Sequence, residues 1–289
     1  MIGKYINVSY YRTYMKKKKF LAAIVQMKSS INKQDNLIES LKYIKEATDR
    51  QADYIFFPEF QMAFSPNTQT VDELYNTAES LTNSKFVKRL CEYSKTYRIG
   101  IVGTFFEKNT SKTDKKVFDT AFSTDKDGKI VSVYRKLHLY DAFGFKESLK
   151  FSKGDNIPKL ITTTIGKMGL MICYDIRFPE LSRILTVNGS DIIAIPSGWV
   201  HGIMKEEHWI TMLKARAIEN GVYVIAPNQV GNIFCGRSMI VDPLGSVLTD
   251  LGDKRGVEIV EIHRERIDEV RKALPLLKNR RTDIYNINT

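Results

Sequence analysis

The stretch Met168-Gly169-Leu170-Met171-Ile172-Cys173-Tyr174-Asp175-Ile176-Arg177-Phe178-Pro179-Glu180-Leu181 changes character midway. Its first part, Met168–Cys173, is an apolar run of strand length and reads as a buried strand. Pro179 suits the first turn of a helix, because its φ is fixed and its missing N–H has no partner there anyway. The helix is expected over Pro179–Val187, with Gly189 just past its end. Cys173 therefore stands where a strand stops and before a helix starts. A thiol at such a turn lies near backbone N–H groups, which favour the thiolate and can bind an oxyanion. Read alone, the same cysteine is more often a small buried packing residue than a nucleophile.

Outward from this unit, strands and helices alternate. Leu21–Met27, Tyr54–Phe57 and Ile99–Phe106 read as buried strands, with helices over Asn36–Thr48 (Asp35 as N-cap) and Ser84–Tyr97. Phe118–Ser123 and Ile130–Tyr134 flank Asp127-Gly128, a hairpin signal. Asp191–Pro196, a helix over Glu206–Glu219, and Val222–Ala226 follow. Met239–Val241 and Val247–Leu248 flank Asp242-Pro243-Leu244-Gly245, a second hairpin, before Val257–Ile262 and a helix over Arg264–Ala273. Apolar strands separated by helices imply a layered α/β domain whose sheets are covered on both faces.

Two further strand ends carry candidate chemistry. Glu59, in Phe56-Phe57-Pro58-Glu59-Phe60, is a carboxylate directly after a buried strand. It reads as a cap or surface acid, or as a general base whose pKa is raised by its phenylalanine neighbours. Lys136, in Tyr134-Arg135-Lys136-Leu137-His138-Leu139, is a solvated strand end or, pointing inward, a fixed cation for an oxyanion. His138, His201, His208 and His263 lack metal-ligand spacing, so no metal site is expected.

Composition narrows the class. Apolar residues are 43% and charged residues 27%, which fits a globular chain. The net charge of +11 invites a nucleic-acid reading, but apart from Lys16 to Lys19 the basic residues are scattered, and no specific nucleic-acid partner is expected. Cys91, Cys173 and Cys235 are far apart and form no CxxC pair, which argues against a disulfide framework and for a reducing compartment. No apolar run has membrane-spanning length. Lys16–Lys19 followed by Phe20–Met27 lacks a cleavage pattern of the signal-peptide kind. A cytoplasmic enzyme without membrane partners is the expectation. Residues 1–19 read as a loosely ordered extension, with Met15 as an alternative start, and 20–289 as a single domain with a C-terminal tail.

In this order, Phe57-Pro58-Glu59, Arg135-Lys136-Leu137-His138-Leu139 and Ile172-Cys173-Tyr174-Asp175 resemble the three catalytic signatures of the nitrilase (carbon–nitrogen hydrolase) superfamily. The resemblance runs from about Phe20 to Tyr285. Cys173 through Leu181 is similar to the branch holding deaminated glutathione amidase and omega-amidase. Trp209 through Asn220, Gly236-Arg237-Ser238 and Asp242-Pro243-Leu244-Gly245 support it. The resemblance implies a four-layer α-β-β-α sandwich, no cofactor, and protomers that pair into a homodimer or higher homo-oligomer. It implies that Glu59, Lys136 and Cys173 are catalytic, that the Tyr174 backbone N–H helps hold the oxyanion, and that Glu147 is a second glutamate that orients substrate and relays protons.

The substrate expected is a small-molecule amide, hydrolysed to acid and ammonia through a thioester. Arg177, four residues past the nucleophile, is a candidate clamp for a substrate carboxylate, or else an ion-pair partner of Glu180 or Asp175. Trp199 is a candidate substrate-binding residue, and Trp209 and Phe143 are aromatic candidates for which packing is the default. Cys91 is expected in the core, and Cys235 in a loop near the pocket. An N-carbamoyl substrate uses the same residues. A catalytically silent scaffold is the competing class, disfavoured because a scaffold needs no nucleophile.

Overall fold

A computed structural model describes residues 19–111 and 115–284. The expected extension over residues 1–19, with Met15, lies outside the described residues except for Lys19. That residue already belongs to the first strand.

Two six-stranded sheets carry the fold. The first contains β1 (Lys19–Gln26), β2 (Tyr54–Phe56), β3 (Gly100–Lys108), β4 (Val117–Thr124), β5 (Ile130–Arg135) and β14 (Gly256–His263), in the order β14-β1-β2-β3-β4-β5. The second contains β6 (Ile161–Thr163), β7 (Gly166–Leu170), β8 (Ser190–Ala194), β9 (Tyr223–Ala226), β12 (Met239–Val241) and β13 (Val247–Asp250), in the order β13-β12-β9-β8-β7-β6. Val230–Gly231 (β10) and Phe234–Cys235 (β11) form a small separate hairpin. Each large sheet has three parallel strands at its centre, β1-β2-β3 and β7-β8-β9, with antiparallel strands outside.

Strand alternation sorts side chains into two cores. Phe20, Ala22 and Ile24 of β1, with Tyr54 and Phe56 of β2, join one cluster with Met168, Leu170, Ile192 and Ile225 of the second sheet. That cluster is the seam between the sheets. Ala23, Val25 and Ile55 point the other way. They pack under α1 (Lys33–Asp49) and α3 (Lys85–Tyr97) through Leu37, Ile44, Phe86 and Leu90. On the far side, α4 (Pro179–Val187) and α5 (Lys205–Asn220) cover the second sheet with Leu181, Leu185, Trp209 and Leu213. The layers run helix, sheet, sheet, helix, as expected. The period of two makes this possible, since one strand can feed two cores at once.

Several boundaries differ from the sequence reading. The strand before Cys173 ends at Leu170, and Cys173–Arg177 is a 3-10 turn. Helix α1 starts earlier than expected because Asn32, not Asp35, caps it by accepting from the Gln34 N–H. A short helix α2 (Val71–Thr77) was not anticipated, although Thr70-Val71-Asp72-Glu73 carries a capping-box signature that the structure closes. Helix α6 (Arg264–Ala273) matches its expected span.

Candidate active site

The site is assembled from strand ends. Glu59 follows β2, Cys173 follows β7, and Gly198 follows β8. Lys136 directly follows β5, which runs in the same direction as β2 and β3 because two antiparallel steps separate it from β3. Open parallel sheets leave a crevice at these carboxyl ends. Here two such crevices, one per sheet, meet.

Lys136 is the hub. Its Nζ lies 2.7 Å from Glu59 Oε1 and 2.9 Å from Glu147 Oε1, and 3.8 Å from Asp119 Oδ2. Lys136 is 2% exposed, and Glu59 and Asp119 are 1% exposed. Both glutamates are also fixed from behind. Glu59 Oε2 accepts the Gly198 N–H at 2.6 Å, and Glu147 Oε2 accepts the Tyr140 N–H at 2.6 Å. The Lys136 N–H donates to the Asp119 carbonyl at 2.9 Å, which ties the hub to β4.

Cys173 is buried and adopts φ 43°, a left-handed conformation uncommon for a side chain with a Cβ. Its N–H is held by the Pro196 carbonyl at 2.9 Å. The turn is pinned by Asp175, whose carboxylate accepts from Tyr134 Oη at 2.6 Å, from the Ile172 N–H at 2.9 Å, and from the N–H and Nδ1 of His138. The His138 ring stacks on Phe178 with centroids 3.6 Å apart. The third signature therefore encodes both the candidate nucleophile and the contacts that hold its turn.

Electrostatics correct two expectations. Burial pushes the Glu59 carboxyl up, as its apolar neighbours implied. The Lys136 charge and hydrogen bonds from Asp119, Lys136 and Cys173 outweigh burial and hold it below the ordinary value. Glu59 is thus an ionised base already in contact with the thiol. The turn does not yield a resting thiolate, because burial and the Glu59 charge push Cys173 well above the usual thiol range. Cys173 rests as a thiol beside the Glu59 carboxylate. Burial and Glu59 likewise raise Glu147.

Asp119 was missed by the sequence reading. Both of its oxygens are buried without a donor. Burial and the Glu59 charge hold its carboxyl well above the ordinary range. Its only prior signal was a charged residue in the β4 run Val117-Phe118-Asp119-Thr120-Ala121. Glu59, Asp119 and Glu147 converge as metal ligands can, but the Lys136 ammonium already stands among them and supplies the positive charge.

A cavity of about 620 Å³ opens onto Glu59, Lys136, Glu147 and Cys173, with Phe60, Phe234 and other apolar side chains as walls. A smaller recess of about 210 Å³ shares Cys173 and is bounded by Trp199, Tyr140 and Lys205. Trp199 thus lines the site, while Trp209 is fully buried behind it and Phe143 is mostly exposed. Arg177 makes no ion pair with Glu180 or Asp175. It lies over Trp199 at 4.8 Å, with Met212 and His208 as its polar neighbours, and its Nε has no acceptor. Cys91 is half-buried on α3 rather than fully in the core. Cys235 is buried in β11 rather than in a loop, outside both cavity walls.

Comparison with known proteins agrees with this geometry. Residues 21–272 match the carbon-nitrogen hydrolase family. The chain is 32% identical over 274 residues to the deaminated glutathione amidase of a Synechocystis species, covering 91% of this chain and 98% of that one. It is 31% identical over 283 residues to an omega-amidase of Saccharomyces cerevisiae, covering 93% and 95%. The crystal structure of a carbon-nitrogen hydrolase from Helicobacter pylori superimposes with a TM-score of 0.85 at 27% identity, covering 93% of this chain and 97% of that one. The chain belongs to the carbon–nitrogen hydrolase family and is an amide-cleaving hydrolase of the nitrilase fold.

Proposed function

We propose that the chain hydrolyses a small linear amide carrying a carboxylate, with Cys173 as nucleophile, Glu59 as general base, and Lys136 and the Tyr174 N–H as oxyanion donors. The carrying observation is the single Lys136 ammonium gripping Glu59 and Glu147 in the cavity that holds the Cys173 thiol. The Cys173 Sγ attacks the carbonyl carbon while its proton passes to Glu59. The oxyanion is met by Lys136 and by the Tyr174 N–H, one of the first N–H groups of a 3-10 turn that has no acceptor within the turn. Glu59 returns the proton to nitrogen, the C–N bond breaks, and ammonia leaves a thioester. Water then adds, Glu59 takes its proton, and the acid departs as the thiol is restored. Glu147, raised in pKa and anchored on Lys136, orients the amide nitrogen and assists these transfers.

The relatives named deaminated glutathione amidase and omega-amidase point to deaminated glutathione or another ω-amide as substrate. Ammonia release from 2-oxoglutaramate, deaminated glutathione, a simple aliphatic amide and an N-carbamoyl amino acid, by wild type and Cys173→Ala, tests the reading. Release by wild type alone, with an acyl adduct on Cys173 by intact mass, is expected. Equal background from both proteins, with no adduct, refutes it and favours the scaffold. Protomer pairing belongs to the same proposal, and sedimentation equilibrium measures it directly. Among the described residues no helix is long and apolar enough to cross a membrane.

A further inference from the structure

Lys205 opens helix α5 in the run Lys205-Glu206-Glu207-His208, which in sequence looks like an ordinary solvated helix start. In the structure it is 4% exposed. Its Nζ donates to Tyr140 Oη at 2.6 Å. Around it stand the rings of Tyr140, Phe143 and Trp199, at 4.6, 4.8 and 5.0 Å. Among the described residues no carboxylate lies within ion-pairing distance of it. The side chain lines the small recess that Cys173 also lines.

A buried ammonium without a counter-ion is unusual, because burial of a charge is costly unless it is paired. Aromatic faces and one hydroxyl recover only part of that cost. Nearby, Arg177 also lacks an ion pair and lies against the same indole, at 4.8 Å. Two cations therefore crowd one ring beside the nucleophile, and neither has its anion. Arg177 was the clamp expected from sequence, but it lines neither cavity wall.

We propose that Lys205 is the specificity-determining residue for the acid end of the substrate: it takes the carboxylate directly, and Arg177 adds charge from behind Trp199. The substrate part of this rests on the amidase reading. The recess is narrow, and Cys173 and Lys205 both line it, so an anion held by Lys205 stands close to the carbon that Cys173 attacks. Lys205 therefore selects a short chain between the carboxylate and the scissile amide. Tyr140 links the two ends of the site, since its hydroxyl accepts from Lys205 while its N–H holds Glu147.

The test uses the full chain with Lys205→Met and Lys205→Arg. The first arm compares kcat/KM for succinamate with that for butyramide, a neutral amide of similar size. Lys205→Met is expected to lower the succinamate value by about tenfold or more, the worth of one charge-assisted hydrogen bond, and the butyramide value by less than about threefold. Lys205→Arg is expected to restore part of the preference. The second arm needs no turnover and follows alkylation of Cys173, by peptide mass, with iodoacetate and with iodoacetamide. Wild type is expected to favour the anionic reagent, and Lys205→Met to lose that bias. Equal losses toward charged and neutral probes would make Lys205 a packing residue and overturn the proposal. An unchanged bias in Lys205→Met would overturn it in favour of Arg177. If wild type cleaves no amide but the alkylation bias still vanishes in Lys205→Met, the amidase reading fails and the anion site stands.

Discussion

Replacing Lys136 by Met keeps most of the side-chain volume and deletes one charge from the centre of three buried acids. Glu59 and Glu147 would lose their contacts at 2.7 and 2.9 Å, and neither can turn to solvent. Removing one partner of a buried ion pair typically destabilises by about 3–5 kcal/mol. For a chain of this size, about 4 kcal/mol corresponds to a Tm lowered by roughly 8–16 °C. The deficit must also depend on pH. Without the ammonium, burial raises the folded pKa of both glutamates above the unfolded value. A raised carboxyl favours folding only while protonated, so the deficit is small near the unfolded pKa and grows as pH rises. The slope is up to about 1.4 kcal/mol per pH unit for each acid until its folded pKa is passed. Thermal melts of wild type and Lys136→Met from about pH 5 to 8 provide the assay, with ammonia release alongside. Amide turnover is expected to fall by at least about a hundredfold, since an oxyanion donor is lost. A Tm difference that stays constant across the pH range, or wild-type turnover, would refute the assignment of Lys136 as the charge that holds both acids.

Burial and the Glu59 charge hold the Asp119 carboxyl well above the ordinary range, so the neutral Asp119→Asn is expected to keep kcat/KM within about threefold, the loss of at most one modest hydrogen bond. Because a raised folded pKa loses stability as pH climbs above the unfolded value, this variant should melt higher than wild type at neutral pH. A hundredfold loss of turnover would show that Asp119 works ionised. Glu79 behaves oppositely. Burial opposes its ionisation, but Lys33, the Phe86 N–H and Ser84 together hold its pKa below the ordinary value. Its contribution is present above the unfolded pKa and is lost as pH falls through the lowered folded one. Glu79→Gln should therefore shift urea midpoints near neutral pH and much less at about pH 3. Burial pushes the Cys91 thiol up to about 11 and the Cys235 thiol up to about 12. Cys91→Ser and Cys235→Ser should leave turnover within about twofold, because neither thiol lines the cavity that holds Glu59 and Lys136 and so neither has a base beside it; a large loss from either would implicate that thiol in the site.

Strand and helix order, the hairpin at Asp127-Gly128 and the span of α6 were legible because period and punctuation are local properties of the chain. So were Glu59, Lys136 and Cys173 as candidates, since each ends a strand. What local sequence could not supply was the sign of each electrostatic balance. Glu59 has apolar neighbours in sequence, which predict a raised pKa, yet Lys136, 77 positions away, reverses it. Cys173 has backbone donors nearby, yet Glu59 and burial keep it protonated. Asp119 and Lys205 look like ordinary charged residues of a strand and a helix start, and only burial among distant partners makes them unusual. By itself the sequence determined the elements, their covered faces and the candidates for the reacting groups, because those depend on side-chain type and short-range periodicity. The tertiary structure alone decided which acid's pKa is lowered, which is raised and where an unpaired cation waits, because those depend on charges brought within a few ångströms across two sheets and out of water.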